Sequence, residues 1–99
     1  MDPETGVAQL QTCREAIDAI DVQIVALINE RTKVVERIGS IKQQLAMAIY
    51  EPKREEQVFE NITSHNRGPL PDDAVKRMFE RIIDEMRNVQ RLKMKKEGA

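Results

Sequence analysis

A single apolar seam at helical spacing runs through the first half of the chain. Alternating steps of three and four residues place side chains on one face of an α-helix. No proline interrupts residues 7–45, and Gly39 is the only glycine there. The sequence therefore predicts one long helix from about Val7 to Leu45. The seam positions are Leu10, Cys13, Ile17, Ile20, Ile24, Leu27, Arg31, Val34, Ile38, Ile41 and Leu45.

Two shorter helices are predicted after the long one, and no strand is predicted. The second starts at Glu51-Pro52, because proline is favoured at the first helical position, and stops before residues 66–69. The third starts after Pro71 with Asp72 as its cap, and the basic residues 93–99 are expected to fray. The third helix's apolar stripe is Val75, Met78, Phe79, Ile82, Ile83, Met86, Val89 and Met94.

The fold class is accordingly all-α, with three helices per chain and a long N-terminal one. We expect residues 1–7 to be an N-terminal extension, residues 8–92 to form one helical domain, and residues 93–99 to be a basic tail or the start of a linker.

The length of the first helix predicts a dimer. A helix of about 36 residues spans roughly 54 Å, whereas a compact 100-residue domain has a radius of gyration near 13 Å. Two shorter helices cannot cover that length, so apolar surface would stay exposed without a partner. The heptad-like seam indicates that the partner is a second copy of the same helix, and we expect an obligate homodimer.

Composition excludes several classes of function. The 99 residues carry a net charge of −1, which argues against nucleic acid as the main partner. The apolar runs are far too short to span a membrane. The single cysteine, Cys13, lies on the seam and is expected to pack there in a reducing compartment. Residues 1–6 have no signal-peptide character, so we expect a cytoplasmic protein.

Arg31 is the one charged member of the seam. A guanidinium cannot lose its proton to ease burial, so it needs an anion. Lys42 follows eleven residues later, which is about three helical turns, so both cations point the same way about 16 Å apart. Together they predict a socket for a small polyanion. The alternatives are a carboxylate partner for Arg31 from another helix and an extended, solvated Lys42.

Arg14 lies about 25 Å before Arg31 along the helix and cannot reach the same socket in its own chain. It can reach the socket of a partner if the two long helices run antiparallel and cross near Gln23 to Ile28. Two equivalent sites would then form across the two-fold axis. A solvated Arg14 with a surface ion pair is the alternative.

Polar residues of the other two helices complete the candidate set. Gln90 faces the same way as Phe79, Ile83 and Met86, where its amide could donate to an oxygen atom. Arg54 and Glu55 lie in the first turn of the second helix. A polar rim position explains Gln90 equally well, and the helix dipole favours Glu55 there regardless of function.

The ordered set of these residues resembles the all-helical class of chorismate mutases over about residues 8–92. The set comprises Arg14, Asn29-Glu30-Arg31, Ile38-Gly39-Ser40-Ile41-Lys42, Pro52-Lys53-Arg54-Glu55 and Gln90. The resemblance implies an intertwined antiparallel homodimer that rearranges chorismate, a small dianion, to prephenate on the route to phenylalanine and tyrosine. It implies neither a cofactor nor a metal ion.

The resemblance also implies a role for each residue. Arg14 from the partner chain and Arg31 would clamp the two substrate carboxylates. Lys42 would reach a carboxylate and the ether oxygen, and Gln90 would donate to that ether oxygen. Glu55, supported by Arg54, would accept from the ring hydroxyl, which Glu51 would also contact. Met86 stands where some members have a small polar residue that touches a carboxylate.

Two other functions remain open from the sequence. Isochorismate pyruvate lyase has the same fold and a similar cationic site, and a helical dimerisation module without catalysis would explain the seam alone. The chain could also be fused to, or bind, another enzyme of the aromatic pathway, with residues 93–96 beginning a linker.

Overall fold

The structure, a computed structural model, describes residues 1–98 and contains three α-helices and no strand within that range. The helices are α1 (Pro3–Gln44), α2 (Pro52–His65) and α3 (Asp72–Gly98). The predicted all-α class, with three helices and a long first one, is confirmed.

The start of α1 differs from the prediction. The helix begins at Pro3 rather than near Val7, because Asp2 stabilises its first turn. The Asp2 carboxylate accepts hydrogen bonds from the backbone N and the Oγ1 of Thr5, each at 3.1 Å. An acidic cap followed by proline is a favourable helix start. The prediction used only the apolar seam, which begins several residues later.

The start of α3 also differs. Asp72 is the first residue of the helix rather than its cap, because the carbonyl of Pro71 accepts the first hydrogen bonds, from Ala74 N and Val75 N. The Asp72 carboxylate instead accepts a hydrogen bond from Asn66 Nδ2 at 2.8 Å and so closes the turn between α2 and α3.

The basic end of α3 is helical rather than frayed. The helix continues through Gly98, and Ala99 lies outside the described residues. Gln43 near the end of α1 donates from Nε2 to the carbonyl of Met94 at 3.3 Å. Lys95 and Lys96 lie in the last turn, where cations interact favourably with the helix dipole.

The chain divides into two compact units, residues 1–33 and residues 34 onward. In the first unit, the large side chains of the seam are exposed in the single chain; they are Leu10, Ile17, Ile20, Ile24 and Leu27. Cys13 is exposed with them in the single chain, and its packing on the seam stays a prediction. None of the three helices, over residues 1–98, is both long and apolar enough to span a membrane.

The second unit contains the core. Val35 of α1 and Ile83 and Met86 of α3 are buried there. Gly39 allows the end of α1 to approach α3 closely, because a Cβ at this position would lie 3.4 Å from Gln90 Cγ. This close contact between α1 and α3 lies beside the buried polar side chains Lys42 and Gln90.

This contact predicts opposite effects for two substitutions. Gly39→Ala is expected to raise the melting temperature by a few degrees, because its Cβ fits and alanine favours a helix over glycine by about 1 kcal/mol. Gly39→Val is expected to lower it, because overpacking costs about 1–3 kcal/mol. Thermal unfolding followed by circular dichroism at one protein concentration measures both. Equal melting temperatures of the two variants would contradict the close approach of Gly39 to Gln90.

Candidate functional site

Lys42 is a buried cation in the last turn of α1. Only 6% of its surface is exposed, so the alternative of a lysine extended into solvent is wrong for the single chain. Its Nζ donates to the carbonyl of Ile49 at 2.8 Å and lies 2.7 Å from Glu51 Oε1. An ammonium has three N–H donors. The described part of the chain provides partners for two of them, which leaves the third as a candidate donor to a ligand.

The α1–α2 connection folds back to hold this lysine. Ala46 adopts a positive φ of 54°, and Met47 N bonds to the carbonyl of Lys42 at 2.8 Å. This turn brings Ile49 and Glu51 to the ammonium. Glu51 occupies the N-cap position of α2, yet its side chain makes no capping hydrogen bond. Its carboxylate is committed to Lys42 instead, with 40% of the side chain still exposed.

Gln90 lies on the buried face of α3, as predicted. It is 8% exposed, and Met86 and Ile83, one and two turns earlier, are buried with it. Gly39, which Gln90 contacts, precedes Lys42 by one helical turn. None of the hydrogen bonds among the side chains of residues 1–96 uses the Gln90 amide. This amide is therefore a candidate donor to a ligand.

Glu55 forms a bidentate ion pair with Arg87, which sequence reasoning missed. Arg87 Nε donates to Oε2 at 3.1 Å and Nη2 donates to Oε1 at 2.7 Å. The Glu55 side chain is 22% exposed and the Arg87 side chain is 27% exposed. The Tyr50 ring stacks on the guanidinium at 5.1 Å, and Asp84 Oδ1 lies 3.4 Å from Nη1. The pair links α2 to α3.

A signal for Arg87 was present in the sequence. It directly follows Met86 at the edge of the α3 stripe, where a long side chain can reach a neighbouring helix. Glu55 lies on the inward side of α2, near Val58 and Phe59 along the same helix. A half-buried carboxylate needs a cation, and Arg87 is the cation at the facing edge.

The remaining predicted residues, Arg14, Arg31, Arg54 and Met86, differ in burial. Arg54 is exposed and donates to Gln57 Oε1 at 3.4 Å, and its support of the site stays a prediction. Met86 is part of the buried core. Arg14 and Arg31 belong to the first unit, where Arg14 is exposed and Arg31 is half-buried.

The chemistry of the second unit suits binding rather than proton transfer. Lys42 pairs with Glu51, Arg87 pairs with Glu55 and Asp84, and Gln90 offers a neutral amide donor. His65 interacts through Nδ1 with the carbonyl of Asn61 at 2.7 Å, a local contact at the end of α2. Among the side chains of residues 1–96, no group of three or more His, Cys, Asp or Glu is arranged to hold a metal ion.

Known proteins are similar to this chain in sequence and in fold. The bifunctional chorismate mutase/prephenate dehydratase of Neisseria gonorrhoeae is 42% identical over 78 residues, which are 79% of this chain and 21% of that protein. This chain thus spans about a fifth of that relative's length.

Two solved structures have the same arrangement of helices. Form II of the chorismate mutase from Thermus thermophilus matches with a TM-score of 0.82 and 30% identity, covering 84% of this chain and 94% of that one. The chorismate mutase from Helicobacter pylori in complex with prephenate matches with a TM-score of 0.82 and 25% identity, covering 89% and 96%.

The decisive match is at the level of the family. The sequence model described as "Chorismate mutase type II" matches residues 13–91, which include every candidate site residue named above. The chain therefore belongs to the type II chorismate mutase family.

Proposed function

We propose that this protein rearranges chorismate to prephenate and so supplies the synthesis of phenylalanine and tyrosine. The observation that carries the proposal is the buried Lys42 ammonium, held by Ile49 O and Glu51 with one N–H remaining. The proposal is also supported by the similarity to the H. pylori chorismate mutase, whose structure contains prephenate.

The reaction suits a site without an acid, a base or a nucleophile. One carbon–oxygen bond breaks as one carbon–carbon bond forms within the same molecule, and no proton moves. The ether oxygen gains negative charge in the transition state. A fixed ammonium and an amide directed at that oxygen stabilise the transition state more than the bound substrate, which is the condition for raising turnover.

Lys42 and Gln90 are the donors that we assign to the ether oxygen. The two partners of Lys42 fix its ammonium before substrate binds, so little reorganisation is needed during the reaction. Arg31 would hold a substrate carboxylate and fold the enolpyruvyl arm over the ring, since bidentate arginines orient carboxylates well. Glu51 keeps its second oxygen for the ring hydroxyl.

The rest of the proposed site binds substrate. Glu55 would accept from the ring hydroxyl, with Arg54 nearby. The apolar Met86 side chain would line the site where other members offer a polar contact, which leaves the carboxylates to the arginines.

The active form is an antiparallel homodimer. The exposed seam of residues 1–33 is a surface that a second copy would cover. Arg14 of the partner subunit would then complete each site as the second carboxylate clamp. We further propose a cytoplasmic enzyme that works alone or as one domain of a longer aromatic-pathway enzyme, as in the N. gonorrhoeae relative.

The primary test is conversion of chorismate by the purified protein, with products identified by chromatography. Prephenate from the parent, and none above background from Arg31→Ala, is the expected result. Activity on isochorismate alone would replace the mutase with the lyase. Inertness toward both substrates would leave a helical dimerisation module and refute the proposal.

Loss of Lys42 is expected to reduce turnover more than binding. Lys42→Ala removes a donor used mainly in the transition state, so kcat should fall by roughly 10²–10³, as for other such donors. Lys76→Ala, which removes an exposed lysine of α3, is the control and should keep parental kinetics. A large rise in KM with kcat unchanged would contradict the role of Lys42.

Gln90 gives a prediction about pH. A glutamine donates at every pH, so the parental rate should be flat through neutrality. Gln90→Glu donates only when its carboxyl is protonated, so its rate should rise as the pH falls. Rate profiles of both proteins between mildly acidic and neutral pH test this. Superimposable profiles would remove Gln90 from the ether contact.

Shared sites predict complementation between two inactive variants. When Arg14→Ala and Lys42→Ala are unfolded and refolded together in equal amounts, half of the dimers are mixed and one site in each is intact. About a quarter of parental activity should return. Arg31→Ala mixed with Lys42→Ala is the control, because no intact site can form. Equal recovery in both mixtures, or none in the first, would refute donation of Arg14 across the interface.

A further inference from the structure

We propose that Arg87 is a positioning residue that holds the Glu55 carboxylate in place for the substrate ring hydroxyl. The inference rests on the proposed function, and it assigns a role to a residue outside the pattern that led to the family. It follows from the ion pair between α2 and α3 and from the groups that hold Arg87.

Glu55 needs an external constraint to act as a defined acceptor. It lies in the first turn of α2, where a free glutamate side chain would sample several rotamers and extend into water. Arg87 binds both of its oxygens, at 2.7 and 3.1 Å, and so fixes the plane of the carboxylate. Each carboxylate oxygen has two lone pairs, so an acceptor position remains for a hydroxyl.

Arg87 is itself held from two further sides. Asp84, three residues earlier on α3, lies 3.4 Å from its Nη1. The Tyr50 ring covers the guanidinium at 5.1 Å, within the distance of a cation–π contact. A planar guanidinium satisfies the bidentate pair and the stack together, which a lysine ammonium does not.

Tyr50 connects this cluster to the other end of the site. It directly follows Ile49, whose carbonyl binds Lys42, and directly precedes Glu51, which pairs with Lys42. Three consecutive residues of the α1–α2 connection therefore contact the two buried or half-buried cations of the site. This arrangement sets the hydroxyl acceptor and the ether-oxygen donor at a fixed spacing.

The expected kinetic signature is a change in binding. The ring hydroxyl does not change charge during the reaction, so its hydrogen bond stabilises bound substrate and transition state alike. Loss of that bond should raise KM about tenfold and leave kcat within about twofold of the parent.

A double-mutant cycle tests the role directly. Arg87→Met, Glu55→Gln and the double variant are compared with the parent in the chorismate assay. If Arg87 acts through Glu55, Arg87→Met should raise KM about tenfold alone and less than about twofold in the Glu55→Gln background. Arg87→Lys, which keeps the charge and is expected to fold, should show a smaller rise of KM with the same dependence on Glu55.

The control is Arg81→Met, which removes another α3 arginine paired with a carboxylate. Arg81 and Glu85 form an exposed pair at 2.7 Å, and the variant should keep the parental KM. An equal effect of the Arg87 variants in both backgrounds, or a fall in kcat without a change in KM, would overturn the inference and leave a structural ion pair. An inert parent protein would instead overturn the proposed function, and the inference with it.

Discussion

The short contacts of the Lys42 ammonium with Ile49 O and Glu51 are the interaction on which the rest of the site depends. Burying a lysine charge is costly unless hydrogen bonds and a counter-charge compensate for it. Here the chain after α1 turns back to supply one carbonyl and one carboxylate, and that turn sets where α2 begins. The N-cap position of α2 is thereby occupied by a glutamate that pairs with a lysine instead of capping its own helix.

Charge balance explains why the proposed site would need more than the second unit. Lys42 is compensated by Glu51, and Arg87 by Glu55. A substrate with two carboxylates requires further cations, and Arg14 and Arg31 lie on the same helix as the exposed apolar seam. The proposed dimer would meet both needs, since covering the seam would also deliver Arg14 of the partner subunit. Stability and catalysis would then depend on the same contact between copies.

The sequence predicted the helices well because apolar periodicity over many turns leaves few alternatives. It predicted their ends less well, because single polar contacts decide them: Asp2 extends α1 to Pro3, and the carbonyl of Pro71 displaces Asp72 from the cap. The buried Gln90 was accessible from its spacing to Ile83 and Met86. Arg87 has a signal of its own at the edge of the α3 stripe, but no local pattern joins it to Glu55, which lies 32 residues away on another helix, so the pair was missed.

The most direct test of a preorganised Lys42 compares the affinity for a transition-state analogue with kcat/KM across variants. A bicyclic dicarboxylate ether that mimics the transition state is titrated into the parent, Lys42→Ala, Lys42→Arg and Gln90→Ala, and its Kd is set against kcat/KM for chorismate. If the ammonium and the amide act on the developing charge, each variant should weaken the analogue by the same factor as it lowers kcat/KM. Analogue affinity that instead follows KM, with no relation to kcat, would contradict the role of Lys42 as the fixed donor to the ether oxygen.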